Sequence, residues 1–363
     1  MKRINYVIVL IYVLSLVGCQ KDNLSFMTVT GERAEIDLDK VSSAGDVHDA
    51  VVSGTESGVK YYYLKGDYSK LGIDGPGSNP FAGSTAETID FSEVSGWEKL
   101  HVSWDFIDND YQDDTVSFDG AGLGKAAFYN ELLEFAYLRH AVLPESVTVL
   151  SESVFSGCPS LSSIEAPGAM VIDREAFSGC VSLRNLSCPD VEMIGSLVFQ
   201  GCESLTEVEM PLLEYAASNA FSGSFLVKAY FPRLKDIGSR NGSVAFNDCP
   251  KLESIDLPSL ETVRTGAITG CPSLSLVSLS GVKRVEKCFI SNIDSDIKTG
   301  LRRLELSAEG DIDVAENAFE WIDTENCTLV LNKDKMPGGG AIPEADPENG
   351  IWAGEQWKEI VFE

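Results

Sequence analysis

Histidine is scarce in this chain: three residues, His48, His101 and His140, in 363. They stand far apart in sequence, which leaves a histidine-centred triad or a zinc cluster short of members. No G-x-S-x-G, H-E-x-x-H or C-x-x-C occurs either. The glycine run Gly120-Ala-Gly122-Leu-Gly124-Lys125 fails as a phosphate loop, because Asp119 stands where glycine is needed and Ala126 where a hydroxyl is needed. It reads instead as a glycine turn. Positive charge is also in short supply, with 28 Lys and Arg against 56 Asp and Glu and a formal charge of -28. So acidic a surface excludes nucleic acid and anionic lipid as partners. The apolar run Tyr6 to Leu14 falls well short of the ~20 residues that a spanning helix requires.

What the chain does have is a period. Phe155, Phe177, Phe199 and Phe221 are each 22 residues apart, and Phe246, Ile268 and Phe289 follow at 25, 22 and 21. Self-similarity at that spacing is the mark of a solenoid, in which each coil packs only on its neighbours. Around Phe199 the unit continues as Gly201-Cys202, Leu205, Val208, Met210, Pro211, Leu213 and Ala216. Leu205, Val208 and Met210 give the inward side of a short strand, Pro211 ends it, and Leu213 with Ala216 buries the return segment. The same register is found earlier: Phe81, Ala86, Ile89, Phe91, Val94 and Trp97 match Phe221, Leu226, Ala229, Phe231, Leu234 and Ile237 in spacing. Phe128, Leu138, Ala141, Leu143 and Leu150 lead into Phe155.

Five cysteines, Cys158, Cys180, Cys202, Cys249 and Cys271, share one position of the repeat, and Ser224 takes it in one coil. Stacked coils bring such residues about 5 Å apart, within disulfide range. Buried free thiols acting as small apolar plugs are the expectation, with cross-coil disulfides the alternative.

A unit of the form A-F-x-G-C-x-x-L-x-x-I-x-L-P-x-L-x-x-I resembles the BspA-type leucine-rich repeat of bacterial surface proteins. The resemblance is close over 128–290 and looser over 59–127 and 291–363. It implies a noncatalytic β-rich solenoid with short parallel strands, irregular return segments and capped ends, whose role is adhesion through a protein ligand. At the N-terminus, Lys2 and Arg3, the apolar run and Leu16-Val17-Gly18-Cys19 resemble a bacterial lipobox. That implies cleavage before Cys19 and its acylation, and hence an outer-membrane lipoprotein, facing the cell surface, that meets the membrane only through its anchor.

The expected organisation is a lipoprotein signal peptide at 1–18, and a lipid-anchored tether with a first strand from Phe26 at 19–40. An N-terminal cap and irregular repeats with an acidic insertion follow at 41–127, with a helix carrying Val47, Ala50 and Val51 behind Ser43. Regular repeats fill 128–306, and an irregular last repeat with a C-terminal cap fills 307–363. The cap includes the Gly338-Gly-Gly340 loop and a strand within Trp357 to Phe362. In the insertion, Asp108, Asp110, Asp114 and Asp119 are spaced as oxygen donors to calcium, but Asp113 stands where the loop needs glycine, and a solvated loop is the expectation. No cofactor is implied.

Strand alternation also names the outward side chains. They include Tyr61 and Tyr63, Glu165, Asn185, Glu207 and Glu209, Lys228 and Tyr230, Asp256, and Arg303 and Glu305. This polar, mildly acidic strip is the candidate face for a protein ligand on a monomeric solenoid. Glycan capture for a polysaccharide uptake system is the alternative, and it needs aromatic platforms.

Overall fold

The computed structural model of the chain describes residues 25–71, 81, 84–96, 101–106, 116–123, 136–237, 245–292, 298–306, 312–332 and 349–362. The leader, Cys19, Trp97, Asp108, Asp110, Asp114, Phe128 and the Gly338 loop lie outside the described residues.

The first strand is where the sequence places it, and it is half of a hairpin. Strands β1 (Met27–Thr30) and β2 (Arg33–Asp37) pair antiparallel around Gly31, whose φ of +63° suits the turn. Helix α1 (Ala44–Glu56) follows. The Ser43 hydroxyl accepts from the Asp46 amide at 3.3 Å, and the Asp46 carboxylate accepts from the Ser43 amide at 3.0 Å. This capping box fixes the start of the helix, which buries Val47, Ala50 and Val51. The chain then returns as β3 (Tyr61–Asp67), parallel to β2, and β4 (Thr88–Ser95), parallel to β3.

From there one residue of each coil stacks on its equivalent. Tyr62, Ile89, Ala141, Ile164 and Leu186 are successive ladder partners along the first sheet, which ends at Asn185–Ser187. A second run on the same side joins Ala229, Ile255, Val277, Leu304, Leu329 and Ile360. Its last member, Glu359–Phe362, is the expected capping strand. Between the two runs, residues 207–209 form no strand, although their sequence alternates like the others.

The return segments are more regular than expected. Val149–Leu150, Val171–Ile172, Met193–Ile194, Tyr215–Ala216 and Asp236–Ile237 build a second parallel sheet of two-residue strands. The stretch between Trp97 and Phe128 is likewise not wholly irregular. Strands β5 (His101–Phe106) and β6 (Val116–Leu123) pair antiparallel, and Gly122 and Leu123 join the second sheet beside Val149 and Leu150. Gly120 to Leu123 is therefore strand rather than turn, and Asp119 sits within it opposite Ser103.

The core is a stack of rings. Phe155, Phe177, Phe199 and Phe221 lie 5.7, 6.0 and 5.7 Å apart between successive centroids, and Phe246 follows at 5.1 Å. The next ladder partners are Ile268 and then Ile290, not Phe289. Cys288, with φ of +49°, takes the left-handed position that Gly266 holds two residues before Ile268, so the step is 22 residues. Phe289 is buried one place earlier, edge-on to Phe319 at 6.1 Å.

The eight described cysteines are free. Their geometry gives the reason: the thiols of Cys180, Cys202 and Cys249 donate to the carbonyls of Phe155, Phe177 and Phe221 at 3.1, 3.3 and 3.2 Å. Each sulfur thus satisfies the backbone of the preceding coil. Burial pushes the thiols of Cys180 and Cys188 up to about 12, which keeps them protonated and unreactive.

Candidate binding face

Strand alternation is observed along the outward strip. Tyr62, Leu64, Ile164, Ala229, Ile255, Val277 and Leu304 are buried, and their neighbours Tyr61, Tyr63, Glu165, Lys228, Tyr230, Asp256, Arg303 and Glu305 are exposed or half-buried. Asn185, Glu207 and Glu209 are exposed as well. The candidates therefore share one side of the solenoid, but their surroundings divide them.

Toward the N-terminal end the charges are satisfied within the fold. Lys60 lies 3.6 Å from Glu32 and 3.4 Å from Glu87, and Arg139 lies 3.6 Å from Glu87, so charges of alternating sign run across four adjacent coils. Lys65 pairs with Glu35, whose carboxyl is held below its ordinary value by that hydrogen bond and charge. The Arg33 guanidinium sits 3.6 Å over the Tyr63 ring. Tyr63 is therefore a covered ring, not an open platform. The sequence reading missed Arg33 because β2 precedes the periodic part of the chain, where no repeat reveals which residue lies beside Tyr61 and Tyr63. His140 and Ser163 share a hydrogen bond of 2.7 Å, and Glu165 lies 3.6 Å from the same ring.

Toward the C-terminal end Arg303 and Glu305 neutralise each other at 2.5 Å. The Asp256 carboxyl is raised above its ordinary value, first by partial burial and then by the nearby Glu305 charge, against the lowering effect of Ser278.

The middle of the strip differs. Glu207, Glu209, Lys228 and Tyr230 are exposed, and no hydrogen bond or ion pair engages their side chains among the described residues. Among the described residues Tyr230 is, with Tyr137, one of the two most exposed large hydrophobic side chains, at 58%. Beside them a crevice of about 310 Å3 opens between Asn185–Ser187 and residues 207–209. Its floor is the half-buried pair Leu186 and Val208, and its rim carries Arg184, Glu207 and Glu209. The sequence reading placed Glu207 and Glu209 on a strand, but they stand on a segment without strand pairing, between the two described sheets of this face. The interruption coincides with the coil after Ser224, which reaches its strand one residue sooner than its neighbours do.

Among the described residues, no three His, Cys, Asp or Glu side chains converge on a metal-sized site. Of the calcium candidates, only Asp119 is described, in backbone, on β6. No helix among the described residues is long and apolar enough to cross a membrane.

These coils match a known repeat. Six copies of the BspA type leucine rich repeat region match residues 122–241 and 234–299. No curated protein matches the chain. Among solved structures, the Treponema pallidum leucine-rich repeat protein is 26% identical, with 42% of this chain and 72% of that one covered and a TM-score of 0.37. A leucine-rich cell surface protein from Faecalibacterium prausnitzii is 16% identical, covering 68% and 84%, with a TM-score of 0.28. A leucine-rich repeat protein from Bacteroides ovatus is 17% identical, covering 77% and 80%, with a TM-score of 0.27. With their stacked phenylalanines and repeat cysteines, the coils within residues 122–299 of this chain are BspA-type leucine-rich repeats.

Proposed function

We propose that this chain is a noncatalytic outer-membrane lipoprotein, anchored through Cys19 and facing outward, that binds a protein ligand along its outward strip. The observation that carries the reading is the middle of the strip, where exposed Tyr230 stands beside Lys228 and the coil of Glu207 and Glu209, with their side chains unengaged. Elsewhere on the face Glu165 lies against His140, Arg303 pairs with Glu305, and Arg33 covers the Tyr63 ring. An exposed tyrosine is a side chain that protein interfaces favour as an anchor, and unpaired charges around it steer and orient a partner. Glycan capture is less well supported, because Arg33 already covers Tyr63 and a row of open rings is lacking among the described strip residues.

The test is binding of the purified chain to a panel of immobilised extracellular-matrix proteins and, in parallel, to a glycan array. Saturable protein binding that drops about tenfold with Tyr230→Ala supports the reading. Glycan binding alone replaces it with the alternative, and binding to neither overturns both. Protease shaving of intact cells tests the orientation: a protected body contradicts an outward-facing protein.

A further inference from the structure

We propose that Tyr230, standing between Glu209 and Asp256 on the coils to either side, is a receptor for an arginine side chain of a protein partner. This rests on the strip being a protein-binding face and names the chemistry that its centre takes.

The chain contains its own occupied example. Glu35, Tyr63 and Asp90 are successive ladder partners on β2, β3 and β4, so a tyrosine stands between two carboxylates, one on each neighbouring strand. The Arg33 guanidinium lies 3.6 Å over that ring, and Arg33, Glu35, Tyr63 and Asp90 line one crevice of about 90 Å3. Its charge reaches the acid as well: the Glu35 carboxyl is held below its ordinary value first by Lys65 and further by Arg33. A cation stacked on the ring and shared with a carboxylate is how the fold fills this triplet.

The same triplet returns in the middle of the strip without its cations. Tyr230 is the ladder partner of Asp256. On its other side the Val227 amide donates to the Thr206 carbonyl at 2.9 Å, just as the Arg184 amide donates to the Ser162 carbonyl at 3.0 Å. The coil of Glu209 therefore stacks directly on that of Tyr230, and Glu209 falls in the column of Ser187, Tyr230 and Asp256, with coils about 5 Å apart. Counted from the two tyrosines, Glu207 takes the place of Arg33 and Pro232 that of Lys65. Tyr63 is half-buried under its arginine, whereas Tyr230 is 58% exposed. Lys228 holds the place of Tyr61 beside the ring and makes no ion pair among the described residues. Against Glu207, Glu209 and Asp256 it leaves the centre with an excess of negative charge.

A guanidinium suits this gap better than an ammonium. Its plane stacks on a ring while its N–H fork reaches carboxylates to either side, and its weaker hydration makes it easier to take from water. The same charges turn acidic segments away.

The experiment is fluorine NMR of the intact chain carrying fluorotyrosine, with the Tyr63 and Tyr230 signals assigned by Tyr63→Phe and Tyr230→Phe. The probes are acetylated, amidated Gly-Arg-Gly and its lysine and citrulline counterparts. The arginine peptide is expected to shift the Tyr230 signal saturably and to leave that of Tyr63, already covered, in place. The lysine peptide binds about threefold more weakly and the uncharged citrulline peptide about tenfold or more. Glu207→Arg, which restores the cation of the first triplet, moves the Tyr230 signal of the free protein and weakens the arginine peptide about tenfold. Glu209→Gln with Asp256→Asn weakens it by a similar factor, while an unmoved Tyr63 signal shows an intact fold. The inference is overturned if the arginine peptide leaves Tyr230 unmoved, or if Tyr63 responds as Tyr230 does. It is equally overturned if the lysine or citrulline peptide binds as tightly, or if Glu207→Arg leaves binding intact. Matrix-protein binding that falls with Tyr230→Ala, without any response to the arginine peptide, refutes the arginine receptor and leaves the wider face standing.

Discussion

Removing the ring of Phe199 tests the core most sharply. The side chain is fully buried and lies between Phe177, 6.0 Å away with planes 4° apart, and Phe221, 5.7 Å away at 20°. Phe199→Ala removes the ring from both stacks. Loss of a buried phenyl with its cavity costs about 3–5 kcal/mol. Each stacked pair adds ~0.5–1.5 kcal/mol beyond burial, which places this site at the upper end of that range. Because coils pack only on their neighbours, the damage is local: amide protection is lost between about Phe177 and Phe246, while β1 to β3 and Thr328–Leu331 keep theirs. Urea unfolding followed by circular dichroism should show the loss of stability together with a broadened or split transition. Phe199→Leu, which leaves a smaller cavity, costs less. A cost for the alanine variant under about 1 kcal/mol, or protection lost evenly along the chain, would refute a core built as a one-dimensional stack.

Three further outcomes follow from the backbone and the thiols. Leu197 holds φ of +60° at a position that Asn219 and Asn317 occupy in other coils, so Leu197→Asn should stabilise by up to about 1 kcal/mol in urea, and a loss would contradict the strain assigned there. Gly195→Ala would set its methyl 2.5 Å from the Arg174 amide nitrogen of the preceding coil. It should destabilise by about 1–3 kcal/mol in the same assay, and a neutral result would show that the coils can part without cost. Cys180 and Cys188 titrate at about 12 in the fold against an ordinary 9.0, so between those limits the unfolded chain gives up protons that the native chain keeps. Stability should therefore be unaffected by these thiols below about pH 9 and fall above it by ~1.4 kcal/mol per pH unit for each. Urea midpoints of the wild type and of a double serine variant, compared at about pH 8 and about pH 10.5, read this directly, and parallel pH profiles would contradict it.

The buried half of each coil was legible because burial imposes the same residue types at the same interval. Phe199, Cys202, Leu205 and Leu213 recur wherever the core needs them. The N-terminal helix was legible for a similar local reason, Ser43 ahead of Val47, Ala50 and Val51 at helical spacing, and the Asp46 half of its capping box was not. Register near the C-terminal end was harder: Cys288-Phe289-Ile290 offers two apolar residues in sequence, and only the left-handed Cys288 decides that Ile290 faces Ile268. The missing strand pairing of residues 207–209 left no mark at all. Glu207-Val208-Glu209 alternates like a strand, and whether it pairs depends on the spacing between coils, a property of packing that alternation does not encode. That the outward Tyr63 is covered was equally hidden, since its partner Arg33 comes from a strand outside the repeat.

The central claim is that function lies on the outward strip and not on the return side of the solenoid. Two exposed tyrosines permit a direct comparison, Tyr230 on the strip and Tyr215 on the second sheet. Affinity for the matrix protein bound by the wild-type chain should fall about tenfold or more with Tyr230→Ala and stay unchanged with Tyr215→Ala. An unchanged affinity for the first variant with a loss for the second would place the binding surface on the opposite side and contradict the account.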